Sequence, residues 1–206
     1  DSLPAPDMVS GLLNALVAHP LAAAVGAFHT DPRRGVVRTP FNVVRGGRLQ
    51  WLSCTDTRQV IEVDHVIASG CLIPAPILRV VGLMRVDFFI DWVDTEWCLR
   101  ARDKGLRVYG VCSAVLEHTL GDRVIQVLGR ELPWHEPWRH YYQARNFVLM
   151  LRTTRTSPLT KLNMAWRQFR RFLVFSTLVP GRSRYFKMWV LGVWHGLQGH
   201  TGPLSR

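Results

Sequence analysis

The sequence predicts an α/β sandwich over residues 1–122, followed by a basic, aromatic-rich helical region over residues 123–206. Three observations carry this expectation. Short strand-like apolar runs alternate with helical stretches as far as His118. The 206 residues are 48% hydrophobic and 10% aromatic, enough for a sizeable buried core. Charge also divides the chain: residues 1–122 hold 12 Lys and Arg against 13 Asp and Glu, whereas residues 123–206 hold 14 against 2. A cationic excess placed in this way points to an anionic partner, phospholipid or nucleic acid, and is silent on fold.

The elements follow in order. Residues 7–18 read as a helix with Leu12, Leu13, Leu16 and Val17 on one face, stopped by Pro20. Ala22 to Phe28 is continuously apolar, as in a strand covered on both faces, and DPRRG at 31–35 makes a turn. Residues 35–60 alternate loosely about Gly46-Gly47, which suits a hairpin or an irregular excursion. VDHVIASGCLIP is a β-branched run reaching Ser69-Gly70, and PAPILRVVG fits a short helix that carries Pro76 in its first turn and closes at Gly82. A helix over 95–103 ends at Asp103-Lys104-Gly105, where glycine accepts the left-handed conformation. Two short strands come next, Arg107 to Tyr109 and Ala114 to Glu117. Beyond them, 139–152 and 162–179 read as helices; the second sets Leu162, Trp166, Phe169 and Leu173 on one side and Arg167, Arg170 and Arg171 on another.

Several classes are disfavoured. Cys54, Cys71, Cys98 and Cys112 form no C-x-x-C pair and sit in apolar runs, so buried reduced thiols are expected rather than a zinc site or a disulfide framework. Seven histidines (His19, His29, His65, His135, His140, His195 and His200) show no metal-binding spacing and are expected to be structural. No signal peptide and no apolar run of about 18–20 residues is present, so the default compartment is the cytoplasm. Trp134, Trp138, Trp166, Trp189 and Trp194 recur among arginines and lysines, a mixture that suits either a lipid interface or a core. Binding to nucleic acid ranks below membrane association, because the arginines lie on helices with a broad apolar face and no nucleic-acid module accompanies them.

The chemistry concentrates in FFIDWVDTEWCLRARDKGLRVYG, Phe88 to Gly110, which sets Asp91, Asp94 and Glu96 at or just before a helix start. Free N–H groups and the positive helix end favour acids there, so capping is one explanation. The other is catalysis: a carboxylate behind the apolar run DFFI and beside Trp92 and Trp97 can serve as a general base. Local spacing leaves both open. Arg139, Tyr142, Arg145 and Asn146 form a near-stripe on a later helix, facing either a diphosphate or solvent.

The order of these motifs resembles the second half of the catalytic domain of family 2 glycosyltransferases of the GT-A type. The residues that carry the resemblance are SGCLI at 69–73, Gly82 and Met84, FIDWVDTEWCLRA, EHTLGD from Glu117, RHYYQARN from Arg139 and GVWHGLQG from Gly192. They look most like the bacterial rhamnosyltransferase branch that uses dTDP-L-rhamnose, including enzymes that add a second rhamnose to rhamnolipids. The resemblance implies an inverting transfer of L-rhamnose to a lipid-linked or glycan acceptor at the inner face of the cell membrane. It implies Asp94 as the base, with Val93 where many members have glutamate. Glu96, Asp91 and Trp97 would contact the acceptor or support the site. Ser69, Gly70, Arg139, Tyr142 and Arg145 would bind the donor, and Asp1 and His118 would hold Mg2+ or Mn2+. It further implies that DSLPAPDM is the tail of an acid-x-acid motif whose preceding nucleotide-binding half is absent. The alternatives are another nucleotide-sugar donor, or a non-catalytic basic module that binds membrane or nucleic acid.

Overall fold

The structure, a computed structural model, describes residues 2–32, 37–39, 41–45, 48–119 and 123–204. They form two compact units, one of residues 1–84 and 94–119 and the other of residues 85–93 and 120–206.

The first unit is mixed α/β, as the alternation of runs predicts. Its elements are β1 (Ser2–Pro4), α1 (Met8–Ala18), β2 (Ala22–Asp31), β3 (Val37–Thr39), the antiparallel pair β4–β5 (Phe41–Arg45 and Arg48–Leu52), whose Gly46-Gly47 link lies outside the described residues, β6 (Val60–Val63), β7 (Cys71–Leu72), α2 (Ala75–Val81), α3 (Val93–Asp103) and β8 (Arg107–His118). β2 and β8 run parallel at the centre of a six-stranded sheet. β1 and β6 share the far edge of β8, and β3 and β7 that of β2, all antiparallel. The sheet is covered on both faces, which explains the unbroken apolar character of β2. Met8, Leu12 and Ala15 of α1 pack on Val25, Ala27, Tyr109 and Val111. On the other face Trp97, Cys98 and Ala101 of α3 join Ala24, Phe28, Phe41, Val63 and Val108.

Four local expectations change. The buried face of α1 is Met8, Leu12 and Ala15, whereas Leu13 and Val17 are exposed. The two strands expected over 107–117 are one, β8; its register against β2 jumps between Ala27↔Val111 and Phe28↔Val115, so the apparent break was an irregularity inside one strand. The run 63–74 is not one strand: a loop over 64–70 separates β6 from the two residues of β7. Finally, Cys54 and Cys112 are joined in a disulfide with Cα atoms 5.7 Å apart, because the segment after β5 lies against β8; Cys71 and Cys98 remain reduced. Of the turn expected at DPRRG, residues 33–35 lie outside the described residues.

The second unit contains a 3-10 turn (Val86–Phe88), the antiparallel pair β9–β10 (Arg123–Val127 and Arg130–Trp134), and three helices: α4 (Pro137–Thr153), α5 (Pro158–Thr177) and α6 (Arg182–Gln198). Pro137 and Pro158 sit in the first turns of their helices, where a missing N–H costs nothing, and the Ser157 hydroxyl caps α5 by accepting from the Thr160 N–H at 3.2 Å. α6 packs closely on α4 because of two glycines: a Cβ on Gly192 would lie 2.3 Å from the Tyr141 carbonyl oxygen, and one on Gly196 would lie 2.8 Å from that of Arg145. Phe175, Val179 and Tyr185 form a further buried cluster.

Candidate active site

Asp94 stands in the first turn of α3, and its carboxylate is fixed from two sides. Oδ1 accepts from the Thr95 N–H at 2.7 Å, and Oδ2 accepts from the Ala68 N–H at 3.2 Å. The second bond ties the helix start to the turn Ala68-Ser69-Gly70. That turn requires glycine: Gly70 has φ +67°, and a Cβ there would come within 2.9 Å of Ala27 and of Leu116. Burial pushes the thiol of Cys71, the next residue, up to about 12, with the negative charge of Asp94 adding to the effect.

The same turn is held from β2. His29, buried on that strand, donates from Nε2 to the Ser69 carbonyl at 2.9 Å. Burial lowers its pKa, the bond to Ser69 opposes this, and the neighbouring His118 adds a smaller lowering. The two imidazoles lie edge-on with centroids 5.9 Å apart, and His118 Nδ1 is 2.8 Å from the Ser2 hydroxyl. Asp94, the Ala68–Gly70 turn, His29 and His118 therefore line one region of the first unit. His29 is a residue that its histidine spacing could not reveal; the parallel register that sets β2 beside β8 is what gives it a role.

Glu96 and Trp97 serve the scaffold. Glu96 is buried and paired with Arg100 through bonds of 3.1 and 3.0 Å, and Arg100 donates onward to the carbonyls of Val81 and Leu83. Trp97 is 1% exposed and donates from Nε1 to the Gly82 carbonyl at 2.8 Å. Both side chains tie α3 to the end of α2.

Asp91 belongs to the second unit and to a strained segment. Phe89, Asp91 and Trp92 all have positive φ, of 66°, 63° and 66°, a region that side chains with a Cβ resist. α4 holds this segment. The Asn146 amide, fully buried, donates to the carbonyls of Phe88, Ile90 and Asp91 at 2.8, 2.7 and 3.1 Å. Arg139 grips the Asp91 carboxylate from Nε and Nη2 at 3.0 and 3.2 Å, and the Trp92 indole donates to the Gln143 carbonyl at 3.0 Å. Arg145, 1% exposed, donates to the carbonyls of Phe88 and Gly202 and, through Nε, to the Asn146 amide oxygen at 2.9 Å. The Tyr142 hydroxyl accepts from the Leu204 N–H at 2.7 Å. The stripe, read from sequence as facing either a diphosphate or solvent, places the Arg139 guanidinium on Asp91 and the Arg145 guanidinium on backbone carbonyls.

Residues that could hold a cation are sparse. Asp1 lies outside the described residues, and among those described no three His, Cys, Asp or Glu side chains converge as a metal site. His118 alone of the expected ligands is present, which is too few to define a cation position.

No protein-family model matches the chain. It is 30% identical over 165 residues, 78% of its length, to the dTDP-rhamnosyl transferase RfbF of Shigella flexneri. The match covers 54% of that protein, so the chain spans about half the length of this relative. The likeness to RfbF and the mixed α/β fold are compatible with a nucleotide-sugar transferase.

Proposed function

We propose that the chain forms the acceptor-side half of a GT-A-type, family 2 glycosyltransferase that moves L-rhamnose from dTDP-L-rhamnose to a lipid-linked or glycan acceptor. The observation that carries the reading is the hydrogen bond from the Ala68 N–H to Asp94, which joins the expected base to the expected donor turn. The likeness to a dTDP-rhamnosyl transferase supports the choice of donor.

In this reading Asp94 takes the proton of an acceptor hydroxyl as its oxygen attacks the anomeric carbon. The new carbon–oxygen bond forms on the face opposite the departing dTDP, the old bond breaks with its electron pair on the diphosphate, and configuration inverts. Gly70 lets the backbone come close to the sugar or diphosphate because no Cβ intervenes. A Mg2+ or Mn2+ ion would offset charge on the diphosphate, and His118 is the expected ligand that lies among the described residues. Asp91, Arg139, Arg145 and Asn146 shape the segment leading into Asp94.

The test is transfer of label from dTDP-L-rhamnose, against other nucleotide sugars, into a bacterial membrane extract by a protein carrying this chain. Label moving from the rhamnose donor supports the reading. Transfer from a different donor alone, or none from any, contradicts it.

A further inference from the structure

Four side chains of α5, Leu162, Trp166, Phe169 and Leu173, are 66, 56, 42 and 41% exposed. Spaced by four, three and four residues, they form a single stripe. On α6, Phe186, Val190, Trp194 and Leu197 repeat the pattern at 49, 45, 57 and 59%. Ring contacts join the two stripes: Trp166 to Phe169 at 5.9 Å, Phe169 to Phe172 at 6.2 Å, and Phe172 to Phe186 at 5.7 Å. Exposed apolar residues on soluble proteins are usually scattered, and a continuous face of this kind marks an interaction surface.

Charge identifies the occupant. Residues 137–206 contain twelve Lys and Arg and no Asp or Glu. Arg170, Arg182, Arg184 and Lys187 are exposed on the same two helices, with Arg170 one turn from Trp166 and Lys187 beside Phe186. A second copy docking by the same face would set these cations against themselves with no acid to offset them. Nucleic acid would accept the cations and stack on the rings, but it has no use for Leu162, Leu173, Val190 and Leu197. Hydrocarbon below a layer of phosphates satisfies both features. No helix among the described residues is long and apolar enough to cross a membrane, so such contact is along the surface.

We propose that α5 and α6 form a docking face for an anionic phospholipid bilayer. Trp166, Phe169, Phe186 and Trp194 enter the boundary between headgroups and acyl chains, and Arg170, Arg182, Arg184 and Lys187 meet lipid phosphates. This stands apart from the transfer reaction, since it needs neither the donor nor Asp94.

The test is flotation of the full chain with vesicles of phosphatidylcholine and phosphatidylglycerol, against vesicles of phosphatidylcholine alone. The chain is expected to float with the anionic vesicles, with a blue shift of tryptophan emission, and to be released by salt. Flotation is lost in a Trp166→Glu/Phe169→Glu variant and separately in Trp194→Glu. It persists in Val17→Glu, an exposed apolar position on α1. Arg170→Gln and Lys187→Gln each lower partitioning about fivefold. Circular dichroism confirms that each variant is folded. The proposal is overturned if the folded wild type stays with the unbound fraction, or if the Glu variants float as it does. It is equally overturned if those substitutions abolish only self-association or oligonucleotide binding and leave flotation intact.

Discussion

Arg139 holds Asp91 in a two-pronged ion pair, Nε to Oδ2 at 3.0 Å and Nη2 to Oδ1 at 3.2 Å, so a helix of the second unit fixes the acid three residues before Asp94. Both side chains are largely shielded, at 27 and 16% exposure, so removal of one leaves the other's charge poorly solvated. Arg171 is sensitive to the same carboxylate: burial lowers its pKa, and Asp91 opposes that lowering. Asp91→Ala is therefore expected to destabilise by about 2–4 kcal/mol and Arg139→Ala by about 1–2 kcal/mol. A double-mutant cycle by urea unfolding should give a coupling of about 1–2 kcal/mol between them.

Asn146 spans three carbonyls of the segment that carries the positive-φ residues. Asn146→Ala removes that donor from all three buried carbonyls, of which Phe88 keeps the Arg145 guanidinium, for an expected loss of about 2–4 kcal/mol. Asn146→Asp should be worse, because an oxygen then faces the carbonyl oxygens. Equal midpoints for the Ala and Asp variants in urea unfolding would contradict the donor role.

Gly70→Ala meets two obstacles at once, a left-handed backbone and a Cβ within 2.9 Å of Ala27 and Leu116. The turn must move, and the Ala68 N–H moves with it. A stability loss of about 2–4 kcal/mol is expected, together with a fall in turnover larger than that of a remote variant of equal stability. A fall no larger than that would deny the turn its link to Asp94.

His140 gives the fold an acid-sensitive element. Burial, with the charges of Arg171, His135 and Arg139, pushes its pKa down to about 3, and its ring packs on Phe175 and Tyr185 with centroids at 4.5 and 4.9 Å. The unfolded chain takes up this proton near pH 6.5 and the folded chain only near pH 3, so His140 costs no stability above about 6.5. Between those values the unfolded state binds more protons, and stability falls by about 1.4 kcal/mol per pH unit as pH is lowered. His140→Phe should flatten that part of the profile. An unchanged slope would contradict the neutral, buried imidazole.

How much of this was legible in sequence depends on the range of the interaction involved. The helix carrying Asp94, its stop at Gly105 and the cap of α2 at Gly82 are local matters of backbone preference, and each could be read from a few neighbouring residues. The stripe of Arg139, Tyr142, Arg145 and Asn146 was legible as a stripe; helical period says which residues share a face but not what meets it, and here they meet carbonyls and Asp91 more than fifty positions away in the case of Arg145 and Asn146. His29 and the Cys54–Cys112 disulfide depend on which segments lie beside β8, a tertiary fact with no local signal. The apolar stripe of α5 was read correctly as one face. Amphipathic periodicity alone does not decide whether such a face is buried, and this one is exposed.

The central claim is that Asp94 takes the acceptor proton, and the most direct measurement is single-turnover transfer by Asp94→Asn at saturating dTDP-L-rhamnose. The substitution keeps the size of the side chain and an oxygen for the Thr95 or Ala68 N–H while removing the base. The expected result is a rate lowered by about 10²–10⁴-fold with donor affinity unchanged. A rate within a few-fold of the wild type, with the variant folded and the donor bound, would contradict the account.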